Sequence, residues 1–120
     1  MSKPSGQRLK VEQKGEVTVV NFLDKRILDE PTIQAIAEQL FALVDEAGKR
    51  KLLLNFSNVE YMSSAALGKL INLHKKVTTL SGRLTMCKVI PQILEVFEIT
   101  KLNKIFKLFP DEEGALESYK

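Results

Sequence analysis

Apolar and polar residues alternate near the start of the chain, and this pattern predicts a β-hairpin. Leu9 and Val11 have polar neighbours, Gly15 interrupts the pattern, and apolar residues recur from Val17 to Phe22. Alternation with a period of two places every second side chain on one face of a strand. Because a glycine between two such runs is typical of a hairpin turn, we expect two antiparallel strands here.

A repeat of three to four residues then predicts a helix. Asp29-Glu30-Pro31 supplies its start, because aspartate caps helices and proline is tolerated in the first turn. Gly48 is expected to end it. The apolar face of this helix comprises Ile33, Ile36, Ala37, Leu40, Val44 and Ala47.

The middle of the chain predicts a buried strand followed by a second helix. Leu52-Leu53-Leu54 is a continuous apolar run, as expected for a parallel strand buried on both faces. The second helix is predicted to begin around Ser64 and to end near Ser81-Gly82. Its apolar face comprises Leu67, Leu70, Leu73, Val77 and Leu80.

The last third predicts a strand from Arg83 to Val89, a short helix that opens at Pro91, and an edge strand from Ile105 to Phe109. These elements together predict an α/β fold. It has a mostly parallel sheet of four to five strands, an opening hairpin and about four helices packed on the sheet. We expect one domain over residues 1–120, with a flexible N-terminus at 1–7 and a surface helix or tail at 111–120.

Composition and charge narrow the class of protein. Eighteen basic and fifteen acidic residues give a net charge of +3, and both signs are interspersed. Since the basic stretches Lys49-Arg50-Lys51 and Lys75-Lys76 contain no aromatic residues, we expect no nucleic-acid binding. No apolar run approaches the roughly 20 residues of a membrane span, and the segment from Met1 to Gly6 lacks the hydrophobic region of a signal peptide. We therefore expect a cytoplasmic monomer without membrane insertion.

The residues that could support catalysis or metal binding are too few and too far apart. Ser64 lacks the Gly-x-Ser-x-Gly pattern of a hydrolase. His74 lies ten residues further along the same predicted helix, about 15 Å along its axis, whereas a general base must come within about 3 Å. Cys87 is the only cysteine and lies in a predicted core strand. We expect no enzyme, no cofactor and no metal site.

Two serines, Ser63 and Ser64, lie where the second helix is predicted to begin. Unpaired backbone N–H groups and a positive dipole end make this position favourable for an oxygen or a phosphate. One interpretation is a simple helix cap, for which serine is a preferred residue. The other is a phosphoacceptor serine, because a phosphoryl group would add roughly −1.5 to −2 charge without disturbing a helix start.

The segment from Leu54 to Gly68, LNFSNVEYMSSAALG, resembles the strand, loop and helix start of the STAS domain family, particularly its single-domain anti-sigma factor antagonists. Leu28-Asp29 and the Pro91 segment also lie where that family has comparable pieces. The serine that the family phosphorylates aligns with Ser64. The family's acidic neighbour is replaced by Ser63, its second hydroxyl residue by Ala65, and its glycine by Ala66.

The resemblance implies a STAS-like layered domain that acts by binding. Such a protein docks on an anti-sigma factor that is also an ATP-binding serine kinase, and a sigma factor is thereby released to act in transcription. Phosphorylation of Ser64, with Ser63 as the alternative, would block docking, and a serine phosphatase would restore it. The implied partner-binding residues are Asp24, Asp29, Ser57, Asn58, Ser63, Ser64, Ala66 and Lys69.

Two other functions stay open at this point. STAS domains also regulate transporters or join signalling complexes without being phosphorylated, and the altered run from Ser63 to Ala66 is compatible with that role. A small serine hydrolase or nucleotide-processing enzyme would instead require activity that is lost in Ser64→Ala. The separation of Ser64 from His74 argues against the enzyme.

Overall fold

The computed structural model describes residues 7–120. In chain order, its elements are β1 (Leu9–Lys14), β2 (Val17–Phe22), β3 (Arg26–Ile27), α1 (Glu30–Asp45), β4 (Lys51–Asn55), β5 (Tyr61–Met62), α2 (Ser64–Thr79), β6 (Arg83–Cys87), α3 (Pro91–Ile99), a 3-10 turn (Leu102–Lys104), β7 (Lys107–Phe109) and α4 (Glu112–Glu117). The predicted α/β fold with four helices is confirmed.

The main sheet has five strands in the order β1-β2-β4-β6-β7. The hairpin strands β1 and β2 are antiparallel, and every other neighbouring pair is parallel. Because β4 is the central strand, Leu52 pairs with Thr18 on one side and with Leu84 on the other. The hairpin and the central buried strand therefore lie where the hydrophobic pattern predicted them.

Helices cover both faces of this sheet. On the first face, Leu54 and Met86 belong to a large buried cluster that includes Leu40 of α1, Leu70 of α2 and Phe97 of α3. On the second face, the buried cluster is small and comprises Val17, Val19, Leu53, Cys87 and Ala115 of α4. Successive residues of β4 thus point to different cores, because side chains alternate along a strand.

A second sheet was not predicted. It consists of β3 and β5, two residues each, which pair in parallel through Arg26 with Tyr61 and Ile27 with Met62. Ile27 is buried and Tyr61 is exposed. Strands of two residues have no hydrophobic period that could be read from the sequence.

Several predicted boundaries are wrong by a few residues. α1 ends at Asp45 with Glu46 as its C-cap, so Ala47 is exposed rather than part of the apolar face. Leu80 is the C-cap of α2 and is also exposed. β6 ends at Cys87 because Lys88 adopts a left-handed conformation with φ 58°.

The two ends of the chain were predicted to be a flexible N-terminus at 1–7 and a surface segment at 111–120. Residues 1–6, which make up most of the predicted flexible N-terminus, lie outside the described part. Gln7 is exposed and donates a hydrogen bond from Nε2 to the Leu9 carbonyl. In the predicted surface segment at 111–120, Ala115 is fully buried and the Tyr119 hydroxyl donates to the Leu52 carbonyl at 2.5 Å. This C-terminal segment therefore covers the second face of the sheet.

Candidate functional site

The start of α2 gives the two neighbouring serines different roles. Ser63 is the N-cap, with extended backbone angles (φ −81°, ψ 165°), and its Oγ accepts a hydrogen bond from the Ala66 N–H at 3.2 Å. Its carbonyl accepts from the Leu67 N–H at 3.1 Å. Ser63 is half-buried. The Ser63 hydroxyl is therefore already engaged in stabilising the helix start.

Ser64 is the first residue of α2, and its side chain is exposed. Within residues 7–120, its hydroxyl makes no hydrogen bond. The N–H groups of the first helical turn and the helix dipole create a positive potential at this end of α2. A phosphoryl group on Ser64 would therefore meet a favourable field from the helix.

The loop that precedes Ser64 is hydrogen-bonded to the loop that follows β2. The Glu60 and Tyr61 N–H groups donate to the Lys25 carbonyl at 2.8 and 3.1 Å, and the Ser63 N–H donates to the Ile27 carbonyl at 3.1 Å. Asn58 adds two bonds, because its Nδ2 donates to the carbonyls of Phe22 (3.3 Å) and Leu23 (2.9 Å). The two loops thus form one continuous surface beside the start of α2.

The two predicted acidic contacts are both engaged within the chain. Asp24 forms an ion pair with Arg8 at 3.0 Å. Asp29 is the N-cap of α1, and its Oδ2 accepts from the Thr32 N–H at 3.2 Å and the Thr32 hydroxyl at 3.0 Å. These hydrogen bonds from Thr32 hold the pKa of Asp29 below its usual range. Each carboxylate therefore has a role in the fold.

The other predicted contacts differ in exposure. Ser57 is exposed, and its backbone N–H donates to Asn55 Oδ1 at 2.9 Å. Lys69 is half-buried and lies in the apolar groove between α1 and α2 beside Ile36 and Leu70. Ala66 does not fit the expectation of a surface contact, because it is only 4% exposed and packs into the core.

Three exposed hydrophobic side chains on these loops were missed from the sequence. Leu23, Leu28 and Tyr61 are 47%, 42% and 51% exposed. Arg26 lies over the Tyr61 ring, with its guanidinium carbon 4.7 Å from the ring centroid. The sequence signal for two of them is the occurrence of Leu23 and Leu28 close to the charged run from Asp24 to Arg26.

Among the described residues, neither His74 nor Cys87 is placed to activate Ser64. His74 is half-buried in α2, its ring contacts Phe106 edge-on at 5.5 Å between centroids, and burial lowers its pKa. Burial also raises the pKa of the Cys87 thiol to about 11. Among residues 7–120, no three His, Cys, Asp or Glu side chains are grouped so that they could hold a metal ion.

The fold and this surface define the class of protein, a small α/β domain that presents a serine at a helix start. The chain belongs to the STAS domain family, because the family model for the STAS domain matches residues 8–115. Among its relatives is BtrV of Bordetella bronchiseptica, which bears the name of an anti-sigma factor antagonist. It is 29% identical over 94 residues, which are 78% of this chain and 80% of BtrV.

Two solved structures show the same architecture. An anti-sigma factor antagonist STAS domain protein from Planctomyces limnophilus has a TM-score of 0.82 and 25% identity, and the match covers 93% of this chain and 97% of that one. The Bacillus cell fate determinant SpoIIAA in its phosphorylated form has a TM-score of 0.71 and 17% identity, with 93% and 99% covered. The latter likeness is one of fold.

These comparisons support a general regulatory role, since the relatives are named for an action on anti-sigma factors rather than for a reaction. Among the described helices, none combines the length and the apolar character needed to cross a lipid bilayer.

Proposed function

We propose that this protein is an anti-sigma factor antagonist controlled by phosphorylation of Ser64. In the unmodified state, the surface around the start of α2 docks on an anti-sigma factor of the ATP-binding serine-kinase type, and the sigma factor is released. That partner phosphorylates Ser64, docking is lost, and a serine phosphatase restores it. The observation that carries this proposal is the exposed, unbonded Ser64 hydroxyl at the first position of α2.

The geometry favours Ser64 over Ser63 as the phosphoacceptor. A kinase must reach the hydroxyl and orient it, and the exposed Ser64 side chain allows both. The Ser63 hydroxyl is half-buried and bonded to the Ala66 N–H. Modification of Ser63 would therefore require the helix cap to open first, at a cost of about 1 kcal/mol.

A phosphoryl group at Ser64 is expected to act on the surface rather than on the fold. The helix dipole stabilises the added negative charge, so the domain stays folded. A docked partner would meet roughly −1.5 to −2 charge and three bulky oxygens at the contact. The SpoIIAA structure, determined in its phosphorylated form, is consistent with this expectation, because the same architecture accommodates the modified state.

The loops beside Ser64 supply an apolar contact surface. Leu23, Leu28 and Tyr61 are exposed on segments that hydrogen bonds join to one another. Interfaces are enriched in tyrosine and arginine, and their centres exclude water around such anchors. Tyr61 with Arg26 above its ring is therefore the anchor that we expect at the centre of the docking surface, and Ser64 follows it three residues later in the chain.

The first test is phosphorylation of the purified protein by the kinase-type anti-sigma factor from the same genome, with ATP, followed by intact mass and peptide mapping. We expect one phosphate on Ser64 in the wild type and in Ser63→Ala, and none in Ser64→Ala. Phosphate on Ser63 in the wild type would contradict the assignment. No phosphate in spite of a tight complex would favour a constitutive STAS binding domain of a transporter or scaffold.

The second test is the affinity for that partner, measured by titration calorimetry. Ser64→Asp should weaken binding at least tenfold, since tenfold corresponds to about 1.4 kcal/mol of lost or repulsive contact. Thr79→Asp is the matched control, because it adds the same charge at the other, exposed end of α2. Equal affinities of the two variants would show that the start of α2 is not part of the docking surface.

A further inference from the structure

A polar network lies beneath the loop that leads to Ser64. Asn55 is the last residue of β4 and is 7% exposed. Its Oδ1 accepts from the Ser57 N–H at 2.9 Å, and its Nδ2 donates to Glu112 Oε1 at 2.9 Å. One buried amide therefore bonds the base of the loop and the C-terminal helix at the same time.

Glu112 begins α4, which covers the sheet face opposite α2. Its second carboxylate oxygen accepts from Lys14 Nζ of β1, so the charge of Glu112 is compensated. The charge of Lys88 also acts on Glu112, and both Glu112 and Asp111 act on the Cys87 thiol. A hydrogen bond to an ionised carboxylate is stronger than one between neutral groups, so Glu112 fixes the orientation of the Asn55 amide.

The position of α4 and the shape of the loop are linked through this amide. If α4 moves away, the Nδ2 donor of Asn55 loses its acceptor in a buried place, which is unfavourable. The Asn55 amide then rotates toward another acceptor, and the Ser57 N–H loses its hydrogen bond to Asn55 Oδ1. α4 is the element that can move at low cost, because it has six residues and its one fully buried residue is Ala115. Short elements with few buried contacts open at low free energy.

We propose that Glu112, acting through Asn55, couples the docking of α4 to the conformation of the loop Phe56–Ser63. Displacement of α4 relaxes the loop and weakens partner binding at the surface that contains Tyr61 and Ser64. Glu112 and Asn55 are positioning residues in this scheme. Its consequence for binding rests on the function proposed above, whereas the coupling itself is a property of the free protein.

The coupling is tested first by NMR on the free, full chain. Amide exchange at Ser57 should become about threefold or more faster in Glu112→Ala and in Asn55→Ala, because the bond that protects this amide is lost. Glu113→Ala is the matched control, since Glu113 is exposed on the same first turn and makes no hydrogen bond within residues 7–120. Its Ser57 amide should exchange as in the wild type.

An NMR titration with pH distinguishes coupling between Glu112 and the loop from a general destabilisation of the fold. In the wild type, the Ser57 backbone amide and the Asn55 side-chain amide should shift together in one transition as Glu112 is protonated. Both shifts should vanish in Glu112→Gln, which keeps an oxygen acceptor for Asn55 and preserves the fold. Faster exchange at Gly114 and Ala115 in Glu112→Ala, with an unchanged Ser57 amide, would overturn the coupling.

The consequence for function is measured as affinity for the kinase-type anti-sigma factor. Glu112→Ala should bind about threefold to tenfold more weakly, and Glu113→Ala should bind as the wild type does. If Glu112→Ala binds normally although its Ser57 amide is deprotected, the link to docking is overturned. If the wild type forms no complex, the proposed function fails while the NMR result decides the coupling alone.

Discussion

The two faces of the main sheet are covered very differently. On the first face, α1, α2 and α3 pack on a large buried cluster to which Leu40, Leu54 and Leu70 belong. On the second face, α4 covers a small cluster, and Leu116 and Tyr119 are only partly buried there. The first face holds the helix that carries Ser64, whereas the second holds a short element at the end of the chain.

This difference indicates that the two faces contribute differently to the stability of the domain. The first face supplies most of the apolar burial, so it fixes α2 in position. The second face is less tightly closed, because an open groove of about 480 Å³ lies between the β1–β2 turn and α4, beside Val17 and Tyr119. A loosely packed face can rearrange at lower cost than a close-packed one. The start of α2 thus rests on the larger core, and the hydrogen bond from Asn55 to Glu112 joins the loop before it to α4 on the second face.

The largest expected effect contrasts Leu54 and Leu53, neighbours on β4 that are both fully buried but point to opposite faces. Leu54→Ala should lower the free energy of unfolding by about 4 kcal/mol, and Leu53→Ala by about 2 kcal/mol. The reason is that α4 can move in to fill the cavity left at Leu53, whereas α1, α2 and α3 are too closely packed to fill the cavity left at Leu54. Urea unfolding of both variants checks this prediction. Equal losses of stability would show that the two faces of the sheet are packed equally tightly.

The hydrophobic period shows why the first face was largely predictable. α1, β4 and α2 are long or strongly patterned, and the predicted buried residues Ile36, Leu70 and Leu73 are buried in the structure. The error at Ala47 arises because a helical period does not reveal where the last turn ends. Leu80 was misplaced for the same reason.

The second face and the small sheet were harder to predict for a physical reason. α4 docks through Ala115 and the Tyr119 hydroxyl, and neither residue stands out in a short polar segment. The β3–β5 pairing depends on hydrogen bonds between residues more than thirty positions apart, such as that from Ser63 to Ile27. A local pattern carries no information on such contacts.

The helix start that carries the two serines was predictable, but the different surroundings of the two hydroxyls were not. The helix start at Ser63 and Ser64 followed from the strand-to-helix pattern. Only the structure distinguishes the capping hydroxyl of Ser63 from the exposed hydroxyl of Ser64. Ala66 was expected among the contacts and is instead buried, because the third residue of α2 already faces the core.

An intermediate effect contrasts the helix caps on the two faces. Ser63→Ala removes the acceptor of the Ala66 N–H in α2 and should lower the free energy of unfolding by about 1 kcal/mol. Asp111→Ala removes the acceptor of the Gly114 N–H in α4. Asp111→Ala should lower the free energy of global unfolding by less than Ser63→Ala does, because α4 can open while the rest of the domain stays folded.

Chemical denaturation and amide exchange of the two cap variants together test this. Ser63→Ala should lower the unfolding midpoint, and Asp111→Ala should chiefly speed exchange at Gly114 and Ala115. Ser64→Ala is the control for the first variant, since its exposed hydroxyl caps nothing, and it should change stability by less than about 0.5 kcal/mol. If Asp111→Ala lowers the free energy of unfolding more than Ser63→Ala does, α4 unfolds together with the rest of the domain and not separately.

The smallest expected effect is the pH dependence that Glu112 contributes from the second face. A hydrogen bond from Lys14 lowers the pKa of Glu112 below its ordinary value of 4.5. A carboxyl with a lowered folded pKa stabilises the fold above its unfolded pKa, and this contribution is lost as the pH falls from 4.5 through the folded value. Because the Lys14 side chain that pairs with Glu112 is exposed to solvent, the effect should be about 0.5 kcal/mol or less.

Glu112→Gln tests this contribution by denaturation at pH 7 and near pH 3. The variant should be slightly less stable than the wild type at pH 7, and the difference should close at the lower pH. Glu113→Gln should show no such closing gap. Were the Glu112→Gln difference to grow in acid, the Lys14 contact would not be the cause of the lowered pKa. The ion pair with Lys14 would then contribute nothing to holding α4 on the second face.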